Sequence, residues 1–409
     1  EVVFQLMLFC LIALQCAGAT WTQWRGSNRN GHADSGLTIR TQWPDTNPPI
    51  LWESDEIPSN DYGGFSSVIS NSETAYLSLV WHKDVPTKTR TISDLVLRKI
   101  GARKINLPPA LIQKAEADRL SLSPRLRGTK LDEWIDEWIV NNLDFKQRLS
   151  QGEYLASRFR KGKLALGAGI ISELFKVKNK VFPNQLALDE WLNDQNFDEG
   201  TREKISQAVP PTKQVAEDVV LALDLNSGTV LWKTSLDSVP TGRKSSSTPC
   251  LANGKIFAVG SKRIYCLDSK SGSPVWDEPL PTQEVASSIM AVRQSVVVLA
   301  GNLRAYNQVD GTLLWENNTV KGKAASPVIW KTPSEEIILC NSNKSVVAVN
   351  PADGITRWEG PGGGSSTPVC NQSIALVHGK DEKVGLIAYQ YRKGEGEESE
   401  RVTQRSRGT

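Results

Sequence analysis

The sequence has little of what most catalytic and metal-binding sites require. Its 409 residues include three histidines, two methionines and six cysteines, and no two cysteines are adjacent or spaced as C-x-x-C. This spacing excludes a zinc ribbon and a c-type haem attachment site. The formal net charge of +3 is small for this length. It gives no reason to expect a nucleic-acid partner, because phosphate binding requires a concentrated basic surface.

Long hydrophobic runs are also scarce, and the clearest one lies near the N-terminus. Val2–Leu14 is almost entirely apolar and is followed by Ala17-Gly18-Ala19, the small-residue pattern of a cleavage site. We therefore predict a signal peptide over residues 1–19, cleavage near its last residue, and a periplasmic or secreted mature protein without a transmembrane span. An uncleaved N-terminal anchor is the alternative. A lipoprotein signal fits poorly, because Gln15 precedes Cys16.

The four cysteines outside this segment are Cys250, Cys266, Cys340 and Cys370. An export compartment permits disulfides between them. Their positions in β-type runs are equally typical of buried thiols. Both states remain open from the sequence.

Tryptophan is abundant, with 13 residues against seven Tyr and nine Phe, and four of the tryptophans end a repeated pattern. In each copy an Asp or Asn is followed four residues later by Gly and eight residues later by Trp, and the tryptophans are 44, 39 and 43 residues apart. Asp or Asn can start a turn by binding its own backbone, and Gly supplies the positive φ of a tight hairpin. Each copy therefore predicts an antiparallel hairpin with Trp on its second strand. The copies are Asp224–Gly228–Trp232, Asp268–Gly272–Trp276, Asn307–Gly311–Trp315 and Asn350–Gly354–Trp358.

The segments between these hairpins repeat as well. Each contains a short Ser- or Thr-rich motif followed by two β-type runs, so a unit of about 40 residues holds four short strands, as a propeller blade does. Strand spacing alone also allows a β-sandwich. The fixed period and fixed Trp favour a propeller, in which each blade buries one face on its neighbour. The motifs are Ser247-Thr248-Pro249, Ser287-Ser288, Ala325-Ser326-Pro327 and Ser366-Thr367-Pro368.

The pattern A-x-[DN]-x-x-x-G-x-x-x-W resembles the tryptophan-docking repeat of pyrroloquinoline-quinone (PQQ) type propellers. That repeat occurs in quinoprotein dehydrogenases and in BamB-like propellers. The opening Trp21-Thr22-Gln23-Trp24-Arg25-Gly26 is similar to the start of secreted PQQ-like propellers of planctomycete type. The resemblance covers residues 20–80 and 218–391. It implies an all-β fold, a β-propeller of four-stranded blades.

A helical pattern interrupts this repeat. Lys130–Asn142 carries an apolar stripe at helical spacing, and Asn184 is a candidate N-cap for a helix over residues 185–192. We predict an α-helical insertion in the first blade, between its second and third strands. The predicted domains are 20–81, the propeller start; 82–217, the helical insertion; 218–391, further blades; and 392–409, a charged tail.

The number of blades is at least five. Residues 366–390 supply three strands of a last blade, without the expected turn and Trp. Ile50-Leu51-Trp52 reads as a strand and is one candidate for the missing outer strand, which would close a ring of five blades. The alternative is truncation from seven or eight blades, which the incomplete pattern at the start also favours.

The resemblance raises a cofactor hypothesis. In quinoprotein dehydrogenases PQQ lies near the propeller axis, stacked on a Trp beneath a vicinal Cys-Cys disulfide, beside a calcium ion held by acidic and amide side chains. This sequence has no vicinal cysteines, and turn formation and blade docking account for the Asp and Trp of its repeats. We therefore predict no cofactor and no catalytic or metal-binding residues. A PQQ-dependent oxidoreductase is the alternative function.

Other groups of reactive residues have simpler interpretations. His32, His82 and His378 belong to no metal or nucleophile motif. The acidic group Asp132, Glu133, Asp136 and Glu137 is typical of the solvated face of a helix. The basic stretch 158–163 is interpreted as solvated surface, and Gly362-Gly363-Gly364-Ser365 as a loop between blades.

These expectations combine into one functional hypothesis. The protein is an exported, monomeric, non-catalytic propeller that acts as a protein-interaction scaffold in the cell envelope. Its partner is an envelope or secreted protein, bound through loops and through the helical insertion.

Overall fold

The computed structural model describes residues 20–33, 50–57, 64, 66–241, 247–283, 285–381, 383–391 and 402–404. The predicted signal peptide, 1–19, and all but three residues of the predicted tail lie outside this part of the chain. Among the residues described, no helix has the length and apolarity to cross a membrane. Two compact units are present: residues 1–83 with 215–409, and residues 84–214.

The first unit is built from antiparallel sheets of short strands. Its strands, together with β3 and β4 of the second unit, are β1 (Ile69–Ser70), β2 (Thr74–Pro86), β3 (Arg90–Thr91), β4 (Val181–Phe182), β5 (Thr212–Asp224), β6 (Val230–Asp237), β7 (Cys250–Ala252), β8 (Lys255–Val259), β9 (Arg263–Asp268), β10 (Pro274–Pro279), β11 (Met290–Val292), β12 (Ser295–Asn307), β13 (Leu313–Gly322), β14 (Val328–Lys331), β15 (Glu336–Asn341), β16 (Ser345–Val349), β17 (Thr356–Pro361), β18 (Val369–Cys370), β19 (Ile374–His378), β20 (Leu386–Gln390) and β21 (Val402–Gln404).

Five sheets follow one another along this unit in the described residues. Sheet 1 has the order β1-β2-β5-β6, sheet 2 β7-β8-β9-β10, sheet 3 β11-β12-β13, sheet 4 β14-β15-β16-β17 and sheet 5 β18-β19-β20-β21. In sheet 3 the long strand β12 spans the positions of both β8 and β9 of sheet 2, with Gly301 at φ 81° within it. The predicted four-stranded, mostly antiparallel β units are therefore present.

Each sheet buries apolar side chains against the next one. Tyr76 and Val220 of sheet 1, for example, share a core with Ile256 and Leu267 of sheet 2. Equivalent cores join sheets 2 and 3, sheets 3 and 4, and sheets 4 and 5. Because burying one such side chain is worth about 1.5–3 kcal/mol, these cores are the main attraction between consecutive sheets.

The last sheet buries only one of its faces in the described part of the chain. Along β19 and β20 the residues alternate, and Ala375 and Val377 are buried whereas Ile374, Leu376 and Leu386 are exposed. Its fourth strand is β21, which pairs with β20. The strand predicted at Ile50-Leu51-Trp52 is therefore wrong on two counts: these residues form no strand, and the outer position of sheet 5 is taken by residues of the predicted tail.

The second unit is helical and lies in sequence between β2 and β5, which are neighbours in sheet 1. The predicted helical segment 82–217 includes the ends of both strands, since β2 reaches Pro86 and β5 begins at Thr212. The helices are α1 (Asp94–Lys99), α2 (Pro109–Ser121), α3 (Thr129–Asn142), α4 (Phe145–Gln147), α5 (Glu153–Lys161), α6 (Ala168–Lys176), α7 (Gln185–Asp194) and α8 (Glu199–Ala208), with a π-helical turn at Arg148–Gly152 and a 3-10 turn at Gly162–Leu164.

Two separate hydrophobic cores hold this unit together. One contains Ile135, Trp138 and Phe159, where α3 packs on α5. The other contains Leu174 and Leu188, where α6 and α7 meet α1 and α8. As predicted, Asn184 caps α7, since its Oδ1 accepts the backbone N–H of Ala187 at 2.9 Å.

Candidate functional site

The repeated tryptophans lock each sheet to the turn of the next sheet. The indole Nε1 of Trp232 donates to the carbonyl of Ser269 at 3.1 Å, and Trp276 donates to the carbonyl of Gln308 at 3.2 Å. Trp315 binds the carbonyl of Pro351 in the same way at 3.2 Å. A buried indole N–H requires such an acceptor. These three repeated tryptophans therefore connect one sheet to the next, and their indoles do not bind within their own hairpins.

Trp52 makes the equivalent contact for sheet 1. Its Nε1 donates to the carbonyl of Leu225 at 2.8 Å, in the turn that connects β5 to β6. Trp52 thus makes the contact of a repeat tryptophan, although the residue is not in a strand. The N-terminal segment thus supplies sheet 1 with the docking tryptophan that sheets 2 to 4 receive from the preceding sheet.

The Asp and Gly of each repeat build the surface on which the indole rests. The carboxylate of Asp268 accepts the backbone N–H groups of Lys270 and Ser271 and the hydroxyl of Ser271 at 2.8–3.1 Å. The hydrogen bonds from Ser271 lower the pKa of this carboxyl group. Gly272, like its three equivalents, has a φ near 70–78°, and a Cβ there would lie less than 3.0 Å from the docked indole. Only glycine satisfies both demands.

The Ser- and Thr-rich motifs form a ladder of hydrogen bonds across all five sheets. Each hydroxyl accepts a backbone N–H from the preceding sheet: Ser67 N–H binds Thr248 Oγ1 at 3.0 Å, and Thr248 N–H binds Ser288 Oγ at 3.3 Å. The next two bonds join Ser288 N–H to Ser326 Oγ at 2.9 Å and Ser326 N–H to Thr367 Oγ1 at 3.0 Å. These hydroxyl groups satisfy backbone donors of the preceding sheet, a structural role that their repetition in the sequence did not reveal.

A buried arginine from the N-terminal segment joins this ladder. Arg29 is 1% exposed, and its guanidinium donates to the carbonyls of Ile289 and Ser288 at 2.9 and 3.1 Å. Burial lowers the pKa of Arg29 to about 10. The segment is fixed further by paired backbone bonds between Trp21 and Ser70. Nothing in the sequence pattern around Arg29 distinguishes it from an exposed arginine.

A second buried polar network links sheets 1 and 2 around Asp218. Its carboxylate accepts the hydroxyls of Ser238 and Tyr265 at 2.8 and 3.0 Å and the backbone N–H of Ser261 at 3.0 Å. Burial and the neighbouring Asp218 charge raise the pKa of the Tyr265 hydroxyl. With several donors converging on one carboxylate, the network is suited to holding two sheets together rather than to proton transfer.

The three histidines serve different local contacts. His82, in β2, is buried, and its Nε2 accepts the backbone N–H of Thr241 at 3.0 Å. His378 ends β19, and its Nδ1 lies 3.1 Å from Ser366 Oγ. His32 is exposed, and its backbone N–H binds Asn30 Oδ1. Across the residues that the structure describes, no three His, Cys, Asp or Glu side chains gather as metal ligands.

The acidic and basic clusters of the helical unit differ in burial. Glu133, Asp136 and Glu137 are exposed on α3, and Asp132 pairs with Arg160 at 2.8 Å. The interpretation of residues 158–163 as solvated surface is wrong for Arg158 and Phe159, which are 3% and 2% exposed. The reason is that Arg158 lies on the buried face of α5 beside Leu155 and Phe159.

The glycine-rich segment and the cysteines also have structural environments. Gly363 and Gly364, with φ of 97° and 114°, lie in the connection between β17 and β18, and Gly363 N–H binds Asn341 Oδ1 at 2.7 Å. The four described cysteines are free thiols. Burial raises the pKa of each to about 12, which leaves the thiols neutral and unreactive at physiological pH.

Comparison with known proteins gives a consistent set of relatives. Residues 216–405 match the family model PQQ_2, outer membrane protein assembly factor BamB. Outer membrane protein assembly factor BamB of Moranella endobia is 32% identical over 113 residues, which are 24% of this chain and 28% of the relative. BamB of Yersinia pestis is 26% identical over 183 residues, 39% of this chain and 45% of the relative. The solved structure of BamB from Moraxella catarrhalis has 18% identity and a TM-score of 0.33, over 43% of this chain and 57% of that chain.

The chain spans less than half the length of the two curated relatives it matches. Within the matching segment, however, the repeated hairpins, the docked tryptophans and the family match coincide. The resemblance to PQQ-type propellers noted in the sequence is confirmed there. Residues 216–405, slightly less than half of this chain, match the family model of the BamB-like PQQ propellers.

Proposed function

We propose that this chain is an exported, non-catalytic β-propeller that binds a protein partner in the cell envelope. The proposal rests on the contacts that the repeated residues make. The Asp and Asn side chains accept backbone N–H groups within their turns, and the glycines leave room for the docked indoles. The hydroxyl groups accept backbone N–H groups of neighbouring sheets. The repeat thus uses these polar groups in its turns and in contacts between neighbouring sheets. The name of the matched relatives, an outer membrane protein assembly factor, supports an envelope partner.

A row of aliphatic residues on the outer strands is the surface that we assign to the partner. Leu231, Val275 and Leu314 each precede a docking tryptophan, on β6, β10 and β13, and they are 53%, 46% and 49% exposed. Single exposed aliphatic residues are common on protein surfaces. Exposure at the same position of three consecutive sheets instead offers a repeated apolar surface, as protein-binding sites do. We call these three residues the outer-strand row.

The experiment compares two triple variants of the tagged full chain after crosslinking in envelope preparations. The first variant, Leu231→Lys, Val275→Lys and Leu314→Lys, changes the outer-strand row. The second variant is a matched control with three exposed aliphatic residues of the helical unit changed to Lys: Val140, Leu149 and Leu186.

We expect a specific envelope protein to copurify with the wild type and with the control variant, and to be lost from the outer-strand variant. Loss from the control variant alone would place the partner on the helical unit and reject the outer-strand row. Recovery of no envelope protein above the level of a tag-only sample would contradict the scaffold function itself.

A further inference from the structure

A pocket of about 270 Å³ lies within the helical unit, against one of its two hydrophobic cores. Its walls come from the segment after α1, from α5, from the connection between α5 and α6, and from α8. Ile100 and Leu166 belong to that core, and α5, which forms one wall, supplies Phe159 to the other core. The lining residues are Ile100, Gly101, Tyr154, Ser157, Arg158, Lys161, Leu164, Ala165, Leu166 and Lys204.

The pocket has a buried cation in its wall. Arg158 is 3% exposed, and its Nη2 donates to Glu116 Oε1 at 2.7 Å and to the carbonyl of Leu166 at 2.6 Å. Its Nε is buried and has no hydrogen-bond partner in the described part of the chain. A buried N–H of a charged group without an acceptor is costly, so Arg158 retains an unused hydrogen-bond donor in this wall.

The charge behind the pocket is incompletely neutralised. Glu116 is the carboxylate partner of both Arg158 and the buried Arg119, with N–O distances of 2.7 Å to each. Two guanidinium groups therefore share one carboxylate. Glu116 also accepts the backbone N–H of Ala168 at 3.0 Å, so its oxygens are well occupied.

Two lysines add positive charge at the rim, and none of the pocket's lining residues is acidic. Lys161 Nζ lies beside Gly101, 3.7 Å from the place of a Cβ on that glycine. Lys204 projects from α8 on the other wall, and both lysines are exposed and without an ion pair among the residues described. Three cations thus face one small concave volume, an arrangement that attracts and binds oxyanions.

We propose that this pocket binds a small oxyanion of the phosphate class, with Arg158 in the wall and Lys161 and Lys204 at the rim. Arginine and lysine supply the N–H donors that phosphate oxygens accept, and a partly enclosed site strengthens the attraction relative to bulk water. The site lies wholly within residues 100–204 and is independent of the partner proposed for the propeller.

The test is calorimetric titration of the full chain with inorganic phosphate at low ionic strength, with chloride as the ionic-strength control and succinate as a dicarboxylate probe. The double variant Lys161→Gln and Lys204→Gln keeps Arg158 and its buried ion pairs. Lys163→Gln is the matched control, because Lys163 is exposed nearby but does not line the pocket.

We expect saturable phosphate binding by the wild type and by Lys163→Gln, and at least tenfold weaker binding by the double variant. Stronger binding of phosphate than of succinate identifies phosphate as the ligand class. Equal binding of both identifies a general oxyanion site and rejects selectivity for phosphate. No saturable binding, or equal weakening by Lys163→Gln, would overturn the proposal.

Discussion

The docking of tryptophan on glycine can be tested at Gly311, where the geometry isolates one contact. Gly311 has φ 78°, and a Cβ there would lie 2.7 and 2.8 Å from Cε3 and Cδ2 of Trp276. Gly254 is a matched control, because it has φ 71° and nothing within 4 Å of the same position. The two glycines therefore share the conformational demand and differ in the indole.

The two substitutions to alanine should have different costs. Gly254→Ala should lower the free energy of unfolding only by the cost of placing a Cβ on a left-handed backbone, roughly 1–2 kcal/mol. Gly311→Ala has the same backbone cost, and it also displaces the Trp276 indole. The resulting overpacking adds roughly 1–3 kcal/mol. We expect Gly311→Ala to lower the free energy of unfolding by that additional amount beyond the control.

Urea denaturation followed by β-sheet ellipticity measures both variants. A double-mutant cycle with Trp276→Ala then identifies the source of the difference. Without the indole, Gly311→Ala should cost no more than Gly254→Ala, which gives a coupling energy of roughly 1–3 kcal/mol between the two positions. Equal destabilisation by Gly311→Ala and Gly254→Ala in the wild-type background would refute the docking account.

Three further predictions concern buried polar groups. Glu116→Gln should destabilise the helical unit by about 3–5 kcal/mol, because it leaves two buried guanidinium groups without a carboxylate partner. The control Glu173→Gln changes a surface ion pair and should cost less than about 0.5 kcal/mol. Urea denaturation measures both variants. Burial raises the pKa of the Cys250 and Cys340 thiols from 9.0 to about 12. Their contribution to stability is therefore complete below pH 9 and is lost as the pH rises to about 12. The melting temperature should fall over this interval, and it should fall less steeply when both residues are alanine. Thr248→Val removes the acceptor of the Ser67 N–H and should lower the free energy of unfolding by about 0.5–1.5 kcal/mol. Thr248→Ser keeps the hydroxyl and should stay near wild type. Equal loss in both variants would contradict the hydrogen-bond ladder.

The sequence predicts the repeated hairpins well because their chemistry is local. Asp268 and Gly272 lie within one turn, and their spacing alone specifies which group binds the backbone and which residue takes positive φ. The acceptor of each indole lies 32–37 residues away along the chain. Only the packing of one sheet on the next brings that acceptor within reach, so the sequence identifies the tryptophan but not its partner.

The residues that sequence reasoning missed are isolated charges whose burial depends on distant partners. Arg29 is buried because carbonyls of residues 288 and 289 accept its protons. Arg158 is buried because Glu116, 42 residues earlier, neutralises it. A basic residue in a polar stretch is usually solvated, so composition favours the wrong environment for both residues. A helical wheel of α5, which places Arg158 near Leu155, was the available signal for one of them.

The strand predicted at Ile50-Leu51-Trp52 illustrates a different limit. Its β-type composition and its Trp match the repeat, and the indole docks as the repeat requires. Strand formation, however, needs a hydrogen-bonded neighbour. In this structure β21 occupies the outer edge of sheet 5. Trp52 therefore docks its indole from a segment that is not a strand.

The central claim is that the residues of the repeat serve packing and that the protein functions in binding rather than in catalysis. Adding PQQ and calcium to the purified chain tests this claim most directly. Absorbance would follow cofactor binding, and reduction of an electron-accepting dye in the presence of alcohol substrates would follow turnover. Our account predicts neither saturable PQQ binding nor dye reduction above the level of a heat-denatured sample. Saturable binding with calcium-dependent dye reduction would contradict it and establish the oxidoreductase alternative.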